Sequence, residues 1–130
     1  KTQSSVLGVF SASENQVSNY GVISSKNIDG IEKVDGIVEK PKPADAPSNL
    51  AVFGRYILSK DIFLNIEQTK PGLNNEIQLT DAIQDLISNQ DVFALEFEGR
   101  RFDCGSKEGY ISAIIDRALS IDKYKSIIEK

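Results

Sequence analysis

The chain has 130 residues and a net charge of −4, with hydrophobic residues at 40% and charged residues at 26%. This composition is typical of a globular domain and lacks the basic excess of a nucleic-acid-binding surface, so no nucleic-acid partner is expected. The absence of histidine excludes Ser–His and Cys–His catalysis, and the single cysteine, Cys104, excludes an intrachain disulfide. No apolar run is long enough to span a bilayer, so no membrane partner is expected. A cytoplasmic location is favoured, and any bound metal should be a hard cation held by oxygen.

Apolar runs with the length and composition of strands recur along the chain. They are residues 6–10, 20–23, 31–34, 37–38, 50–58 and 92–98. The first is compact enough to predict a strand that is buried on both faces. Asp35-Gly36, between the third and fourth runs, is a two-residue turn signal. These two runs are therefore expected to pair as a hairpin that brings Glu39 to the far end of a paired strand.

Apolar residues at helical spacing predict helices in the second half of the chain. The first is expected to have Ser59 as its N-cap, the second Thr80 or Asp81, and the third to follow Gly105 and continue through residues 121–128. Their inward-facing residues are expected to be Ile62, Phe63 and Ile66, then Leu79, Ala82, Ile83, Leu86 and Ile87, then Tyr110, Ile111, Ile114, Ile115, Ala118 and Leu119. Such stripes form core or subunit contacts, and a homo-oligomer is expected.

The segment that follows residues 37–38 has the chemistry of a small-ligand site. The apolar run ends in Glu39, which can accept hydrogen bonds from hydroxyl groups, and Lys40, which can hold a phosphate as a point charge. Three prolines then stop any helix and stiffen a loop; they are Pro41, Pro43 and Pro47. On this chemistry alone, a solvated turn with charges at a strand end explains the segment equally well.

Four parts of the chain carry a recognisable order of residues. They are Asn-Tyr-Gly-Val-Ile at 19–23, Val-Glu-Lys-Pro-Lys at 38–42 with the run at 47–58, Asn-Glu-Ile-Gln-Leu-Thr-Asp-Ala-Ile at 75–83, and Arg-Phe-Asp-Cys-Gly-Ser-Lys-Glu-Gly-Tyr at 101–110. In this order they resemble the bacterial UTP–glucose-1-phosphate uridylyltransferases, also called UDP-glucose pyrophosphorylases, and more broadly the sugar-phosphate nucleotidyltransferases. The resemblance covers most of the chain.

The resemblance implies an α/β fold with a mixed sheet flanked by helices, of the nucleotide-diphospho-sugar transferase type. It implies the formation of UDP-glucose and pyrophosphate from UTP and glucose 1-phosphate, with Mg²⁺ as cofactor. The family's glycine-rich nucleotide-binding segment has no counterpart here. Residues 1–130 are therefore expected to be the C-terminal part of a single nucleotidyltransferase domain, namely the sugar-phosphate-binding half and the C-terminal helices. This chain alone is expected to be inactive.

The resemblance also implies roles for individual residues. Glu39 resembles the family's sugar-hydroxyl acceptor, and Lys40 resembles its ligand for the sugar phosphate. Gly21 and Val52 match positions whose backbones touch the hexose. Asp103 matches the second aspartate of the metal site, so Lys40 and Asp103 are the expected catalytic residues. Taken alone, Gly21 is better explained as relieving crowding at a strand edge, and Asp103 as a turn or helix-capping residue.

Some features leave alternatives open. The family usually has glycines before Glu76, where this chain has Asn74 and Asn75. Cys104 is expected to be a small buried hydrophobic residue. The run Glu-Ile-Gln-Leu-Thr-Asp favours uridylyl transfer, but the family's base-reading residues lie outside these segments. A nucleotidyltransferase that forms dTDP- or ADP-sugars, or a non-catalytic sugar-phosphate-binding or assembly module, therefore stays open.

Overall fold

The computed structural model describes residues 4–72 and 75–128. The chain divides into two compact units, with the boundary between Phe97 and Glu98. In the described part of the chain, no helix has both the length and the apolar character that a membrane crossing requires.

The first unit is a five-stranded mixed sheet with two helices. The strands are β1 (Ser5–Ser11), β2 (Gly21–Ile28), β3 (Ile31–Glu39), β4 (Leu50–Ile57) and β5 (Val92–Glu96). The sheet has the order β1-β4-β2-β3-β5 and closes because β5 also pairs with β1; this pair is parallel and the others are antiparallel. The helices are α1 (Ile62–Gln68) and α2 (Leu79–Asn89), and α2 packs against β3 and α1. The expected mixed sheet flanked by helices is confirmed.

The strand β1 has one fully buried face. Leu7 and Val9 are buried in the main core, whereas Val6 and Phe10, on the alternate face, are half-buried. The prediction of a strand buried on both faces is therefore wrong. The helix α2 covers the core face with Ile83, and on the other face Phe10 belongs to a smaller cluster.

The hairpin between β2 and β3 turns at Asp29-Gly30, so the predicted turn at Asp35-Gly36 is wrong. Asp29 and Gly30 both have positive φ, 52° and 83°, as a type I′ turn requires. Asp35 instead lies in a β-bulge, where the pairing between β2 and β3 shifts register. A Cβ added at Gly36 would lie 2.8 Å from Oγ of Ser24, so this glycine allows close pairing instead of a turn.

The helix α1 begins later than the sequence predicts. Its N-cap is Asp61, not Ser59. Ser59 is engaged elsewhere, because its N–H donates to Oγ of Ser5 at 2.9 Å and its Oγ accepts from Nε2 of Gln90 at 2.8 Å. Ile62 is buried as predicted, but Phe63 is 68% exposed.

The helix α2 confirms part of the predicted core face and corrects the predicted cap. Of the residues expected to face inward, Leu79 is 37% exposed and Ile87 is half-buried. Ala82, Ile83 and Leu86 are buried. Gln78 is the N-cap, so neither Thr80 nor Asp81 caps the helix. Thr80 lies one residue inside the helix with a buried side chain, which places it against the sheet.

The second unit contains α3 (Lys107–Leu119) and α4 (Asp122–Ile128), which pack against each other. Ser106 is the N-cap of α3, and its Oγ accepts a hydrogen bond from the N–H of Gly109 at 3.0 Å. The residues expected to face inward are not buried: Tyr110, Ile111, Ile114, Ile115 and Leu119 are exposed and Ala118 is half-buried. That expectation is wrong for this unit, because a pair of helices has no second layer to cover the apolar stripe.

Candidate functional site

Glu39 and Gly21 face each other at one end of the β2–β3 pair. The two residues are partners in the antiparallel ladder between β2 and β3, a pairing that the predicted hairpin did not include. A Cβ added at Gly21 would lie 3.0 Å from Cγ2 of Val52, 3.0 Å from Cγ2 of Thr80 and 3.3 Å from Oε2 of Glu39. The structure thus brings three of the candidate residues, Gly21, Glu39 and Val52, together around one point. Gly21 is buried in the middle of the sheet, so crowding explains the glycine, although not crowding at a strand edge.

Lys40 follows directly and has an unusual backbone conformation. Its φ is +46°, in the left-handed region that L-residues with a side chain rarely adopt. The conformation is held by a hydrogen bond of 3.0 Å from the N–H of Lys40 to the carbonyl oxygen of Tyr20. Strain of this kind concentrates at functional sites, where it redirects a side chain.

The ammonium group of Lys40 remains available for an anion. Its Nζ lies 3.7 Å from Oε1 of Glu39, and the two side chains are 53% and 22% exposed. A pair this long and this exposed contributes at most about 1 kcal/mol. Lys40 can therefore exchange this contact for a phosphate oxygen at little cost.

The loop after Lys40 is anchored to the sheet. It contains a 3-10 turn at Pro43–Asp45. Its far end is fixed by Ser48, whose Oγ donates to the carbonyl oxygen of Ile23 at 2.6 Å, and by Asn49, whose carbonyl accepts from the N–H of Ala12 at 2.8 Å. These bonds and the prolines make this a stiff loop that fixes where Lys40 emerges.

Tyr56 is a second ionisable residue whose pKa responds to Glu39, and no sequence motif indicated it. Burial raises the pKa of Tyr56, and the negative charge of Glu39 raises this pKa further, while the backbone of Gly54 opposes both effects. The phenol therefore stays neutral at physiological pH, within electrostatic range of the Glu39 carboxylate. The sequence signal that could have indicated Tyr56 is strand alternation, since Val52, Gly54 and Tyr56 occupy alternate positions of β4.

We expect Tyr56→Phe to lose less stability than the wild type as the pH rises from 8 to 11. The folded-state pKa of Tyr56 lies above its unfolded value of about 10, so the folded state keeps a proton that the unfolded chain releases. This stabilisation is complete below pH 10 and is lost as the pH rises through the folded pKa. Thermal unfolding between pH 8 and 11 tests this, with the exposed Tyr110→Phe as control; the same pH dependence in wild type and Tyr56→Phe would contradict it.

Asp103 belongs to the second unit and forms a turn before α3. Its Oδ1 accepts from the N–H of Gly105 at 3.0 Å, and its carbonyl oxygen accepts from Oγ of Ser106 at 3.2 Å. Asp103 is thus a turn residue whose backbone the N-cap Ser106 holds. In the described part of the chain, no hydrogen bond engages Oδ2, which leaves one carboxylate oxygen for a cation.

Two further positions next to the candidate residues are informative. Cys104 is exposed, so the expectation of a buried hydrophobic residue is wrong; the turn at Asp103 directs it to solvent. Asn75 has a φ of +61°, in the region that favours glycine and that asparagine tolerates better than most residues. Asparagine can therefore replace the family's glycine there, whereas Asn74 lies outside the described residues.

A mixed sheet that presents an acidic and a basic side chain at a strand end beside a proline-stiffened loop is compatible with the nucleotidyltransferases. The family model described as nucleotidyl transferase matches residues 1–118, and the chain belongs to this family. Among its relatives, the chain is similar to UTP–glucose-1-phosphate uridylyltransferases of Streptococcus pyogenes. One of them, from serotype M3, is 45% identical and another is 47% identical, each over 127 residues that make up 96% of this chain and 42% of the relative.

Solved structures give the same result. The chain is similar to a UDP-glucose pyrophosphorylase complexed with UDP-glucose, with a TM-score of 0.85 and 45% identity over 92% of this chain and 46% of that one. It is also similar to a UTP-bound UDP-glucose pyrophosphorylase from Acinetobacter baumannii, with a TM-score of 0.81 and 37% identity over 99% of this chain and 46% of that one. The family resemblance of the four sequence segments is confirmed. The chain spans less than half the length of these relatives.

Proposed function

We propose that the full-length protein forms UDP-glucose and pyrophosphate from UTP and glucose 1-phosphate. We propose further that residues 1–130 form the C-terminal, sugar-phosphate-binding part of a single nucleotidyltransferase domain. The observation that carries the proposal is the pair Glu39 and Lys40, adjacent and opposite in charge, at the end of β3, with Lys40 held in a left-handed conformation. The relatives named for this reaction, and the solved relatives with UDP-glucose or UTP bound, support the same assignment.

The chemistry is a displacement at phosphorus. A phosphate oxygen of glucose 1-phosphate attacks the α-phosphorus of UTP, the bond to the bridging oxygen breaks, and pyrophosphate leaves with that electron pair. No protein nucleophile is needed, because positioning and charge neutralisation provide the rate enhancement. Lys40 holds the sugar phosphate and offsets its charge, while Glu39 accepts hydrogen bonds from sugar hydroxyls beside the backbones of Gly21 and Val52.

Asp103 is the proposed ligand for Mg²⁺. Its free Oδ2 is the hard oxygen donor that this cation prefers. Among the described residues, no group of three or more His, Cys, Asp and Glu side chains is arranged to hold a metal ion, so Asp103 offers one carboxylate toward a larger ligand set. When bound, Mg²⁺ would neutralise charge on the phosphates.

We also propose that the protein is a homo-oligomer in the cytoplasm. The exposed apolar side chains of α3, including Ile111 and Ile114, support self-association. The cytoplasmic location rests on Cys104 as the single cysteine. Light scattering of the full-length protein tests the first part; a monomer at micromolar concentration would contradict it.

A pyrophosphate-release assay tests the proposed reaction. The full-length protein with UTP, glucose 1-phosphate and Mg²⁺ should turn over at about 1 s⁻¹ or faster. A preference for dTTP or ATP over UTP would instead indicate a different sugar nucleotidyltransferase, and no release with any of the three would indicate a binding or assembly module. The 130-residue chain alone should be inactive, because none of its singly placed glycines forms the phosphate-binding loop that a triphosphate requires.

A further inference from the structure

Thr80 carries a buried hydroxyl group without a hydrogen-bond partner. The residue is 6% exposed, and in the described part of the chain its Oγ1 is the one buried side-chain oxygen or nitrogen without such a partner. An unsatisfied buried hydroxyl is destabilising, and valine would fill the same space without this cost. A threonine here therefore needs an explanation other than packing.

The surroundings of Thr80 supply the matching acceptor. The methyl carbon Cγ2 of Thr80 and Oε2 of Glu39 both lie close to the same point above Gly21, at 3.0 Å and 3.3 Å from a Cβ added there. The Lys40 contact of the carboxylate involves Oε1. Within the described residues, no hydrogen bond reaches Oε2, so two side chains that adjoin Gly21 each carry a polar atom without a hydrogen-bond partner.

A single side-chain rotation brings the hydroxyl of Thr80 to the Gly21 side, where Glu39 also lies. Rotation of Thr80 about Cα–Cβ into another staggered well puts Oγ1 where Cγ2 now lies, and threonine populates two such wells in helices. From that position Oγ1 would adjoin the same point above Gly21 as Oε2 of Glu39. We propose that Thr80 is a positioning residue of the sugar subsite, whose hydroxyl donates to Oε2 of Glu39 when the sugar phosphate binds. The proposal rests on the sugar-binding role of Glu39 given above.

The hydrogen bond from Thr80 then fixes the orientation in which the Glu39 carboxylate accepts hydrogen bonds. With Oε2 fixed by Thr80, Oε1 is the oxygen left to accept from a sugar hydroxyl once Lys40 turns to the phosphate. A carboxylate held by a charge-assisted hydrogen bond keeps one orientation, and orientation is what discriminates one hydroxyl pattern from another.

A double-mutant cycle in the full-length protein tests this role. Thr80→Val should raise the KM for glucose 1-phosphate about tenfold and leave the KM for UTP unchanged, because one hydrogen bond to a charged group is lost. Thr80→Ser, which keeps the hydroxyl, should restore the KM to within about threefold of the wild type. In a Glu39→Gln background, Thr80→Val should add less than about twofold, because Thr80 acts through the carboxylate.

Two measurements separate this role from a structural one. The Tm of Thr80→Val should equal or exceed that of the wild type, since an unpartnered hydroxyl is removed without loss of volume. Thr69→Val is the matched control: it removes a hydroxyl that donates to the carbonyl oxygen of Asn65 at 2.8 Å, and it should leave both KM values unchanged. Additive losses for Thr80→Val and Glu39→Gln, or an unchanged KM in Thr80→Val, would overturn the proposal. A wild-type protein without uridylyltransferase activity would instead overturn the proposed function, on which this inference depends.

Discussion

Lys40→Ala is expected to lower kcat/KM for glucose 1-phosphate by about tenfold to a hundredfold in the full-length protein. A hydrogen bond to a charged group contributes roughly 1.5–3 kcal/mol, and each 1.4 kcal/mol corresponds to a factor of ten. The ion pair with Glu39 does not reduce this loss appreciably, because at 3.7 Å and with half of Lys40 exposed it contributes little by itself. Steady-state kinetics with glucose 1-phosphate as the varied substrate measures the effect.

Two further variants of this loop separate the effect of the Lys40 charge from the effect of its backbone conformation. Lys40→Gly should show the same kinetic loss and equal or higher stability, because glycine adopts a φ of +46° without strain. Lys42→Ala removes a nearby positive charge from an exposed position and should change kcat/KM by less than about twofold. Unchanged efficiency in Lys40→Ala, or an equal loss in Lys42→Ala, would remove Lys40 from the phosphate site.

Gly109→Ala is expected to destabilise the second unit and disturb Asp103. A Cβ at position 109 would collide with the backbone carbonyl of Asp103, whose carbon lies 2.8 Å away, and would come within 2.8 Å of Oγ of the N-cap Ser106. Backbone atoms cannot turn aside as a side chain can, and overpacking of this kind costs about 1–3 kcal/mol. The collision outweighs the gain of about 1 kcal/mol that alanine normally brings to a helix interior.

The measurable results are a lower Tm and a higher Mg²⁺ requirement, since the carboxylate of Asp103 moves with its backbone. Ser112→Ala is the control: it also places alanine in α3, at an exposed position, and should be neutral or slightly stabilising. If Gly109→Ala were as stable as Ser112→Ala and kept the same Mg²⁺ dependence, the tight turn at Asp103 would have no role in holding the ligand.

The hairpin shows what local sequence signals could and could not predict. Asp29-Gly30 and Asp35-Gly36 carry the same turn dipeptide, and the turn was predicted at the second of them. The difference arises from the ladder: only a turn at Asp29-Gly30 lets β3 run without interruption to Glu39, which is paired with Gly21. A dipeptide signal does not contain this long-range pairing.

The helices likewise show what local sequence signals could and could not predict. The core face of α2 followed from spacing alone, because the sheet covers Ala82, Ile83 and Leu86 as the pattern requires. The apolar face of α3 has the same spacing and is exposed, because spacing specifies a face of the helix but not what covers it. Burial therefore depends on neighbours that a helix's own sequence does not reveal.

Among the residues around the candidate site, the sequence indicated Gly21, Glu39, Lys40 and Val52 but neither Tyr56 nor Thr80. Glu39 and Lys40 stood out by charge and by the prolines that follow them. Tyr56 and Thr80 did not, because they belong to a strand and a helix far from Glu39 in sequence, and their ordinary roles there are core residue and cap. Only the packing of α2 against the sheet brings Thr80 close to the same point above Gly21 as the Glu39 carboxylate, and only the fold puts Tyr56 within electrostatic range of it.

A crystal structure of the full-length protein with UDP-glucose bound is the most direct test of the proposal that this chain holds the sugar phosphate. We expect a hexose hydroxyl within about 3 Å of the Glu39 carboxylate and the sugar ring against the backbones of Gly21 and Val52. Nζ of Lys40 should lie within hydrogen-bond distance of the phosphate that joins the glucose. A hexose bound away from Glu39, with Lys40 still directed to solvent, would contradict the account.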